Sequence, residues 1–216
     1  MKFLRFKGSM EARRKKLVAF SFDDGPNSDN ILDVLHILGE NNIQATFFWI
    51  VKNARELKQK NPRLFSKVLN LLDKGEHEVG LHAPFDYQPS LKTIFYGKFT
   101  HKELSEAKLE LENLTGKVVN LYRPHILFQV ATVYFAKQLG LTTVVRDFTK
   151  RDYASASAKK DIQIARFSHT QPGSILLFHD GISINRQITY ITNVLPTVIV
   201  NIRKKGLNPT KVSKVL

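Results

Sequence analysis

The chain of 216 residues contains no cysteine, one tryptophan and two methionines. Without cysteine it can form no disulfide framework and use no cysteine nucleophile, so any bound metal must be held by imidazole and carboxylate groups. No apolar run is long enough to cross a bilayer, and residues 1–16 hold no apolar stretch of signal-peptide length. The sequence as written therefore predicts a soluble chain with no transmembrane segment, and it leaves the cellular location open.

Acidic residues are also scarce. The chain has 19 Asp and Glu against 33 Lys and Arg, which gives a formal net charge of +14. Such an excess indicates anionic surroundings: a negatively charged glycan or cell wall, a phospholipid surface, or nucleic acid. No nucleic-acid-binding motif is present, and basic residues do not alternate with aromatic ones as base stacking requires. We therefore expect no nucleic-acid partner, and the net charge does not choose among the other surfaces.

The start of the chain is treated separately from the rest. Four cations stand together at 13–16, and Gly-Ser-Met at 8–10 resembles a cloning junction. We predict a basic N-terminal segment over 1–16 and a single domain over 17–216, because a chain of this length with 43% hydrophobic residues can bury one large core. No pattern in the sequence predicts the oligomeric state.

Short apolar runs alternate with longer segments of helical period along this domain. The predicted strands are 17–22, 45–50, 78–81, 118–122, 142–145 and 174–178, with a weak last strand near 211–215. The predicted helices are 29–40, 62–74, 101–115, 129–139, 158–168 and 185–204. The alternation predicts an α/β fold with parallel strands, either an open doubly wound sheet or a barrel.

Ionisable residues follow most of the predicted strands. In α/β folds the carboxyl ends of the strands form one rim, and sites are built there. The residues that reach this rim are Asp23 and Asp24 after the first strand, His82 after the third, Arg123 after the fourth, Arg146 and Asp147 after the fifth, and His179 and Asp180 after the sixth. Carboxylates, imidazoles and guanidinium groups on one rim predict a catalytic site.

One set of these residues has the chemistry of a metal site. His82 and Asp86 are four residues apart, a separation that one helical turn or a tight loop brings onto one side. With Asp24 they form an imidazole and carboxylate set suited to zinc or a similar divalent ion, with positions left open for water. The alternative is that His82 is a structural strand-end histidine and Asp86 caps a loop.

A second set has the chemistry of proton transfer. His179 emerges where an apolar run meets the rim, so it is either a general acid or base or a structural residue. Asp152, beside Tyr153, either orients such a histidine or caps a loop helix. The adjacent carboxylates of Asp23 and Asp24 are either solvated turn residues or part of a site with a cation nearby, because like charges side by side oppose each other's ionisation.

Five short motifs occur in one order along the chain. They are Ser-Phe-Asp-Asp-Gly-Pro at 21–26, His-x-x-x-Asp at 82–86, Tyr-Arg-Pro at 122–124, Arg-Asp-Tyr at 151–153 and Leu-Phe-His-Asp at 177–180. In order and approximate spacing they resemble the five motifs of the polysaccharide deacetylases, carbohydrate esterase family 4, over about residues 17–208. The resemblance implies a distorted, TIM-barrel-like (β/α) barrel of about seven parallel strands. It also implies a metal-dependent deacetylase that removes N-acetyl groups from amino-sugar polymers or oligomers such as peptidoglycan or chitin.

The resemblance also implies roles for individual residues. Asp23 matches the general base, and Arg123 matches the arginine that orients it. His179 matches the catalytic acid, and Asp152 matches the carboxylate that holds this acid.

The expected metal and substrate contacts depart from the common family pattern. Asp24 and His82 match ligands of one divalent ion, with zinc as the first expectation and cobalt, nickel or manganese as alternatives. Asp86 stands where most members have a second histidine, as in a subset of the family. His125 opens a His-Ile-Leu-Phe sequence in place of the usual proline, aromatic residue and glycine, and Tyr153 replaces a tryptophan. We expect His125 and Tyr153 to contact an N-acetylated glycan.

Two other functions stay open at this point. One is a relative that binds glycan without turnover because of the altered third motif. The other is an amidohydrolase that acts on a small non-sugar amide. Members of the family are often secreted or located in the cell envelope. The sequence as written carries no export signal, so we make no prediction of location.

Overall fold

The structure is a computed structural model that describes residues 4–5, 8–87, 90, 98–124, 130–145, 164, 167–180 and 191–216. Strands and helices alternate through most of this chain. In order, the described elements are β1 (Leu4–Arg5), α1 (Met10–Arg14), β2 (Leu17–Gly25), α2 (Ile31–Glu40), β3 (Thr46–Ile50), α3 (Val51–Lys60), α4 (Pro62–Lys74), β4 (Glu78–Ala83), α5 (His101–Thr115), β5 (Leu121–Tyr122), α6 (Val130–Gln138), β6 (Thr142–Val144), β7 (Ile175–His179), α7 (Ile191–Lys204), β8 (Asn208–Thr210) and a final 3-10 helix (Val212–Lys214). Within this part of the chain, no helix is long and apolar enough to span a membrane.

The strands form one parallel sheet with the order of a barrel. The neighbours run β1-β6-β5-β4-β3-β2-β7, and β8 pairs with the start of β2. From β2 to β6 each strand pairs with the next along the chain, whereas a doubly wound sheet reverses its order at a switch point. β7 returns to pair with β2, as the last strand does when a barrel closes. The predicted distorted (β/α) barrel is confirmed; β1 and β7 end the path of pairings among the described strands.

Two elements of the chain after residue 16 depart clearly from the prediction. The last strand was predicted too late, because it covers Asn208–Thr210, and Val212–Lys214 is a 3-10 helix. There the Val212 amide donates to the Thr46 hydroxyl at 2.8 Å and the Ser213 amide to Glu78 Oε1 at 2.9 Å, so side chains rather than a strand ladder hold this backbone.

The second difference is a helix that the sequence analysis did not predict. α3 follows β3 directly. Most of its residues are polar, but Val51, Ala54 and Leu57 form a short buried apolar stripe along one side. Their spacing of three residues was the available signal. The predicted helix 158–168 lies almost entirely outside the described residues.

The segment before the first predicted strand is packed against the barrel. The Gly8 amide donates to the Gly173 carbonyl at 2.8 Å, and the Ser9 amide donates to the Val215 carbonyl at 2.7 Å. Ala12 of α1 is only 1% exposed. Residues 8–14 and the 3-10 helix therefore close the amino-terminal end of the barrel.

The core has two layers, one on each face of the sheet. The larger layer lies between strands and helices and includes Val18, Phe20 and Phe22 of β2. The smaller layer fills the amino-terminal part of the barrel interior and consists of Ala12, Ala19, Phe48, Leu121, Val144, Ile175, Val212 and Val215. Side chains alternate along a strand, so Ser21 and Asp23 follow Ala19 on the inner face. The barrel interior is therefore apolar at one end and polar at the end where the site lies.

Candidate active site

A β-bulge at the end of β2 directs two adjacent carboxylates into the barrel. In the pairing with β3, Asp23 is opposite Phe48 and Gly25 is opposite Trp49, so Asp24 is the extra residue. Asp24 has a φ of 67°, a left-handed conformation that side chains other than glycine seldom adopt. In a regular strand the two side chains would face opposite sides of the sheet. The bulge explains how Asp23 and Asp24 can face the same site.

Asp23 is paired with a buried guanidinium. Arg123 Nη1 donates to Asp23 Oδ1 at 2.8 Å and to Ser21 Oγ at 2.7 Å. The Ser21 hydroxyl donates its own proton to the Leu176 carbonyl at 2.5 Å, which leaves its oxygen to accept from Arg123. Asp23 and Arg123 are 3% and 2% exposed, so this ion pair is almost free of solvent.

The Arg123 side chain has further contacts on the floor of the site. Its Nε donates to the Val144 carbonyl at 3.4 Å, and its guanidinium carbon lies 4.2 Å from the centroid of the Phe48 ring. A guanidinium over an aromatic face is stabilised by the ring quadrupole. Arg123 Nη2 is buried and has no hydrogen-bond partner among the described residues. The Phe48 ring and the Val144 carbonyl thus hold the guanidinium in position, in addition to its hydrogen bonds with Asp23 and Ser21.

His82 joins Asp24 to the backbone of Arg123. His82 Nδ1 lies 2.7 Å from the Arg123 carbonyl oxygen, and Nε2 lies 3.2 Å from Asp24 Oδ1. Because a carbonyl can only accept, Nδ1 carries a proton, so a neutral ring presents the Nε2 lone pair to a carboxylate. Two lone pairs at this distance repel unless a proton or a metal ion lies between them. This tautomer, with a backbone carbonyl behind the ring, is the one that metal-binding histidines have.

His179 completes the group at the mouth. It ends β7, directly opposite Asp23 in the pairing of β2 and β7. Its Nε2 lies 4.0 Å from Asp24 Oδ2, and its side chain is 14% exposed. His179 therefore lies beside the Asp24 carboxylate at a position that solvent can still reach.

The structure brings together five of the residues predicted from the sequence: Asp23, Asp24, His82, Arg123 and His179. Asp86 is half-buried on the loop after β4. In the described ranges, no group of three His, Asp or Glu side chains is arranged to hold a metal ion, so Asp24 and His82 form a pair and the role of Asp86 stays a prediction. His125, Asp152 and Tyr153 lie outside the described residues, as do Arg146 and Asp147.

Two residues of the site were not predicted as functional. Ser21 had a readable signal, because it stands two residues before Asp23 and therefore on the same face of β2. Phe48 had none, since its contact with Arg123 joins distant parts of the chain.

Asp180 is buried directly behind the first motif. It is 0% exposed, and its carboxylate oxygens have no hydrogen-bond partner within the described part of the chain. Burial raises the pKa of Asp180 well above its usual value, and the Asp24 and Asp23 carboxylates act in the same direction. A Cβ at Gly25 would lie 2.2 Å from Asp180 Oδ1. Glycine is therefore required at 25 by the close approach of this carboxyl group.

Comparison with known proteins identifies the family of this chain. The polysaccharide deacetylase family matches residues 11–144, more than half of the chain. The chain therefore belongs to the polysaccharide deacetylase family, and it is a hydrolase of that type. The resemblance found in the five motifs is confirmed.

Curated relatives cover most of the chain at modest identity. The chain is 28% identical over 214 residues to a peptidoglycan-N-acetylglucosamine deacetylase of Bacillus cereus, covering 94% of this chain and 89% of the relative. It is 27% identical over 166 residues to a chitooligosaccharide deacetylase of Azorhizobium caulinodans, covering 76% and 73%. It is 26% identical over 196 residues to a bifunctional xylanase/xylan deacetylase of Cellvibrio japonicus, of which it spans only 27%.

Solved structures share the fold. The peptidoglycan N-acetylglucosamine deacetylase Bc1960 superposes with a TM-score of 0.78 at 18% identity, covering 100% of this chain and 93% of that one. A carbohydrate esterase family 4 pseudoenzyme from Bacillus anthracis superposes with a TM-score of 0.73 at 16% identity, covering 100% and 69%. At these identities the likeness shows the fold alone.

Proposed function

We propose that this protein is a metal-dependent deacetylase that hydrolyses N-acetyl groups on amino-sugar polymers or oligomers such as peptidoglycan or chitin. The observation that carries the proposal is that two adjacent carboxylates contact different partners. Asp23 is held by Arg123, while Asp24 faces His82 and His179. The names of two curated relatives, a peptidoglycan-N-acetylglucosamine deacetylase and a chitooligosaccharide deacetylase, point to the same chemistry.

Asp24 and His82 have the donor atoms that a divalent ion needs. The repulsion between the His82 Nε2 lone pair and Asp24 Oδ1 favours a cation between them, and Asp86 would supply the third ligand. Zinc suits this set best, with cobalt, nickel or manganese as alternatives. When bound, such an ion would lower the pKa of a water molecule to about 7 and polarise the amide carbonyl.

The other residues of the site move the protons. Asp23, oriented by Arg123, accepts a proton from the attacking water, whose oxygen bonds to the acetyl carbon. His179 donates a proton to the sugar nitrogen as the carbon–nitrogen bond breaks, so the products are a free amine and acetate. Each of these proton transfers contributes roughly a hundred- to ten-thousand-fold. Asp152 would orient His179.

An aromatic group that includes residues of the loop carrying Asp86 would contact the substrate. Phe85 is 38% exposed and meets Phe99 edge-on at 5.3 Å, and Phe99 meets Tyr87 edge-on at 5.2 Å. A rigid, exposed ring of this kind suits the apolar face of a sugar. His125 and Tyr153 would supply further contacts to the glycan.

A second candidate function is glycan binding without turnover. The altered third motif, His-Ile-Leu-Phe beginning at His125, favours it. The structural likeness to a pseudoenzyme shows that this fold exists without turnover.

Zinc titration by calorimetry into chelator-treated protein tests the proposal. We expect one equivalent of zinc to bind, to be lost in His82→Ala and to be kept in His36→Ala, a control at an exposed histidine of α2. With the zinc-loaded protein, binding of N-acetylated chitooligosaccharide and peptidoglycan is then measured, together with release of acetate from both glycans and from small N-acetyl amides. Absence of specific binding of zinc, and of cobalt, nickel and manganese titrated in the same way, would contradict metal dependence. Zinc and glycan binding without acetate release would favour the second candidate, and release only from small amides would favour the non-sugar amidohydrolase.

A further inference from the structure

The end of the barrel opposite the candidate active site carries a concentrated positive charge. Two exposed runs of cations lie there, one in and after α1 and one at the end of α7. Their members, called the basic pole below, are Arg13, Arg14, Lys15, Lys16, Lys204 and Lys205.

The two runs are far apart in sequence and are joined by β8. The Asn208 amide donates to the Lys16 carbonyl at 2.9 Å, and Asn208 Nδ2 donates to the Lys15 carbonyl at 3.1 Å. Asn208 follows Lys205 by three residues. The strand pairing therefore places both runs at one end of the molecule.

This end is remote from the candidate active site. β2 begins at Leu17, directly after the first run, and reaches the site at Asp23. Seven residues of extended chain span about 23 Å. A surface bound at the basic pole would therefore leave the mouth of the barrel facing away from it.

The chain segments that carry the two runs contain little negative charge. In residues 8–16 and 200–208 the one acidic side chain is Glu11, which pairs with Lys15 at 2.6 Å. Both partners are more than half exposed, and exposed pairs of this kind contribute little binding energy. The Lys205 ammonium contacts the Ser168 carbonyl, which leaves its charge in place.

An apolar side chain lies beside the cations. Met10, one turn before Arg13 on α1, is 78% exposed. A soluble polyanion would gain nothing from it, whereas a bilayer could bury it below the phosphate layer while the cations bind lipid headgroups. We propose that the basic pole binds an anionic phospholipid bilayer and holds the mouth of the barrel away from the membrane. This inference does not depend on the proposed function.

Co-sedimentation with vesicles tests the proposal. We expect the full chain to bind vesicles that contain phosphatidylglycerol and not to bind vesicles of pure phosphatidylcholine. The bound protein should dissociate as salt is added, because salt screens the attraction between surface charges. Failure to bind the phosphatidylglycerol vesicles at low salt would overturn the proposal.

Matched variants separate the basic pole from general positive charge. In the pole variant Arg14, Lys15, Lys16 and Lys204 are changed to Gln. The control variant changes four exposed cations of α3, α4 and α5 to Gln: Lys58, Arg63, Lys67 and Lys102. The partition coefficient should fall at least about tenfold in the pole variant, since each cation near an anionic surface adds roughly fivefold. It should stay within about twofold of wild type in the control. Equal losses in both would overturn the proposal, and thermal unfolding checks that both variants fold.

A second measurement distinguishes a bilayer from a soluble polyanion. The chain has one tryptophan, Trp49, which is 0% exposed, so Met10→Trp adds a reporter on the basic pole. We expect its emission to shift to shorter wavelength on phosphatidylglycerol vesicles and not on soluble polyphosphate. An equal response to both, or no shift on vesicles, would overturn insertion at this end.

Discussion

The guanidinium of Arg123 and the carboxylate of Asp23 meet at 2.8 Å, with side chains 3% and 4% exposed. A buried ion pair is stable only when additional hydrogen bonds satisfy its remaining donors and acceptors. The Ser21 hydroxyl accepts from Nη1 of Arg123 and the Val144 carbonyl accepts from Nε, while the Phe48 ring supports the cation; Nη2 has no partner among the described residues. The position of the proposed base is thus set by contacts that have no part in the reaction itself.

Arg123→Lys should keep the positive charge but lose the planar set of hydrogen-bond donors that the guanidinium provides. A single ammonium cannot reach Asp23, Ser21 and the Val144 carbonyl together. We expect kcat/KM for acetate release to fall roughly a hundred- to a thousandfold, a loss in the range of one general-base role. Steady-state kinetics on chitooligosaccharide measures this, with the exposed Arg63→Lys as control. Activity within threefold of wild type would show that Arg123 does not orient the base.

Ser21→Ala removes one acceptor from the same guanidinium. We expect kcat to fall about tenfold with KM unchanged, and the free energy of unfolding to fall by about 1–3 kcal/mol, because a buried donor loses its partner. Ser21→Thr keeps the hydroxyl and should recover most of kcat. Ser66→Ala on the exposed face of α4 is the control for unfolding. A rise in KM without a change in kcat would contradict a positioning role.

Gly25→Ala should clash with a buried carboxyl group. The new Cβ would lie 2.2 Å from Asp180 Oδ1, and overpacking of this kind costs about 1–3 kcal/mol. The double variant Gly25→Ala/Asp180→Ala should recover part of the loss, as urea unfolding can measure. Gly39→Ala is the control, since nothing lies within 4 Å of its added Cβ in α2, and it should stabilise the protein by about 0.5–1 kcal/mol. Additive losses in the double variant would exclude the clash.

His77 should make stability depend on pH in the acid range. Burial lowers the pKa of His77 to about 4 from 6.5, with Lys117 and Lys211 acting in the same direction. Its Nδ1 accepts the Ala45 amide at 3.0 Å, which only the neutral ring can do. Between pH 6.5 and about 4 the unfolded chain therefore binds a proton that the folded chain excludes.

Because only the unfolded chain binds this proton in that range, acid destabilises the folded chain. Stability from His77 is complete above pH 6.5 and is lost as pH falls toward 4, by on the order of 3 kcal/mol. Urea unfolding at several pH values measures the slope. His77→Gln should reduce it, and the exposed His36→Gln should leave it unchanged. An unchanged slope in His77→Gln would show that this histidine is not excluded from protonation in the folded chain.

Much of the fold and of the site was predictable because its signals are local. The first six predicted strands coincide with strands of the structure to within a few residues, because apolar alternation and flanking turns reflect the surroundings of each short segment. The five residues of the site stand at strand ends, and parallel strands bring their carboxyl ends to one rim. The sequence alone therefore determined the α/β class and the members Asp23, Asp24, His82, Arg123 and His179.

Only the tertiary structure decided how these residues meet. The bulge at Asp24 depends on the pairing of β2 with β3, and Ser21 and Arg123 are 102 residues apart in the chain. The two runs of the basic pole come together only through the pairing of β8 with β2. A local pattern reports which face of an element is buried, whereas register, bulges and contacts between distant segments are settled by how the packed elements satisfy one another's buried polar groups.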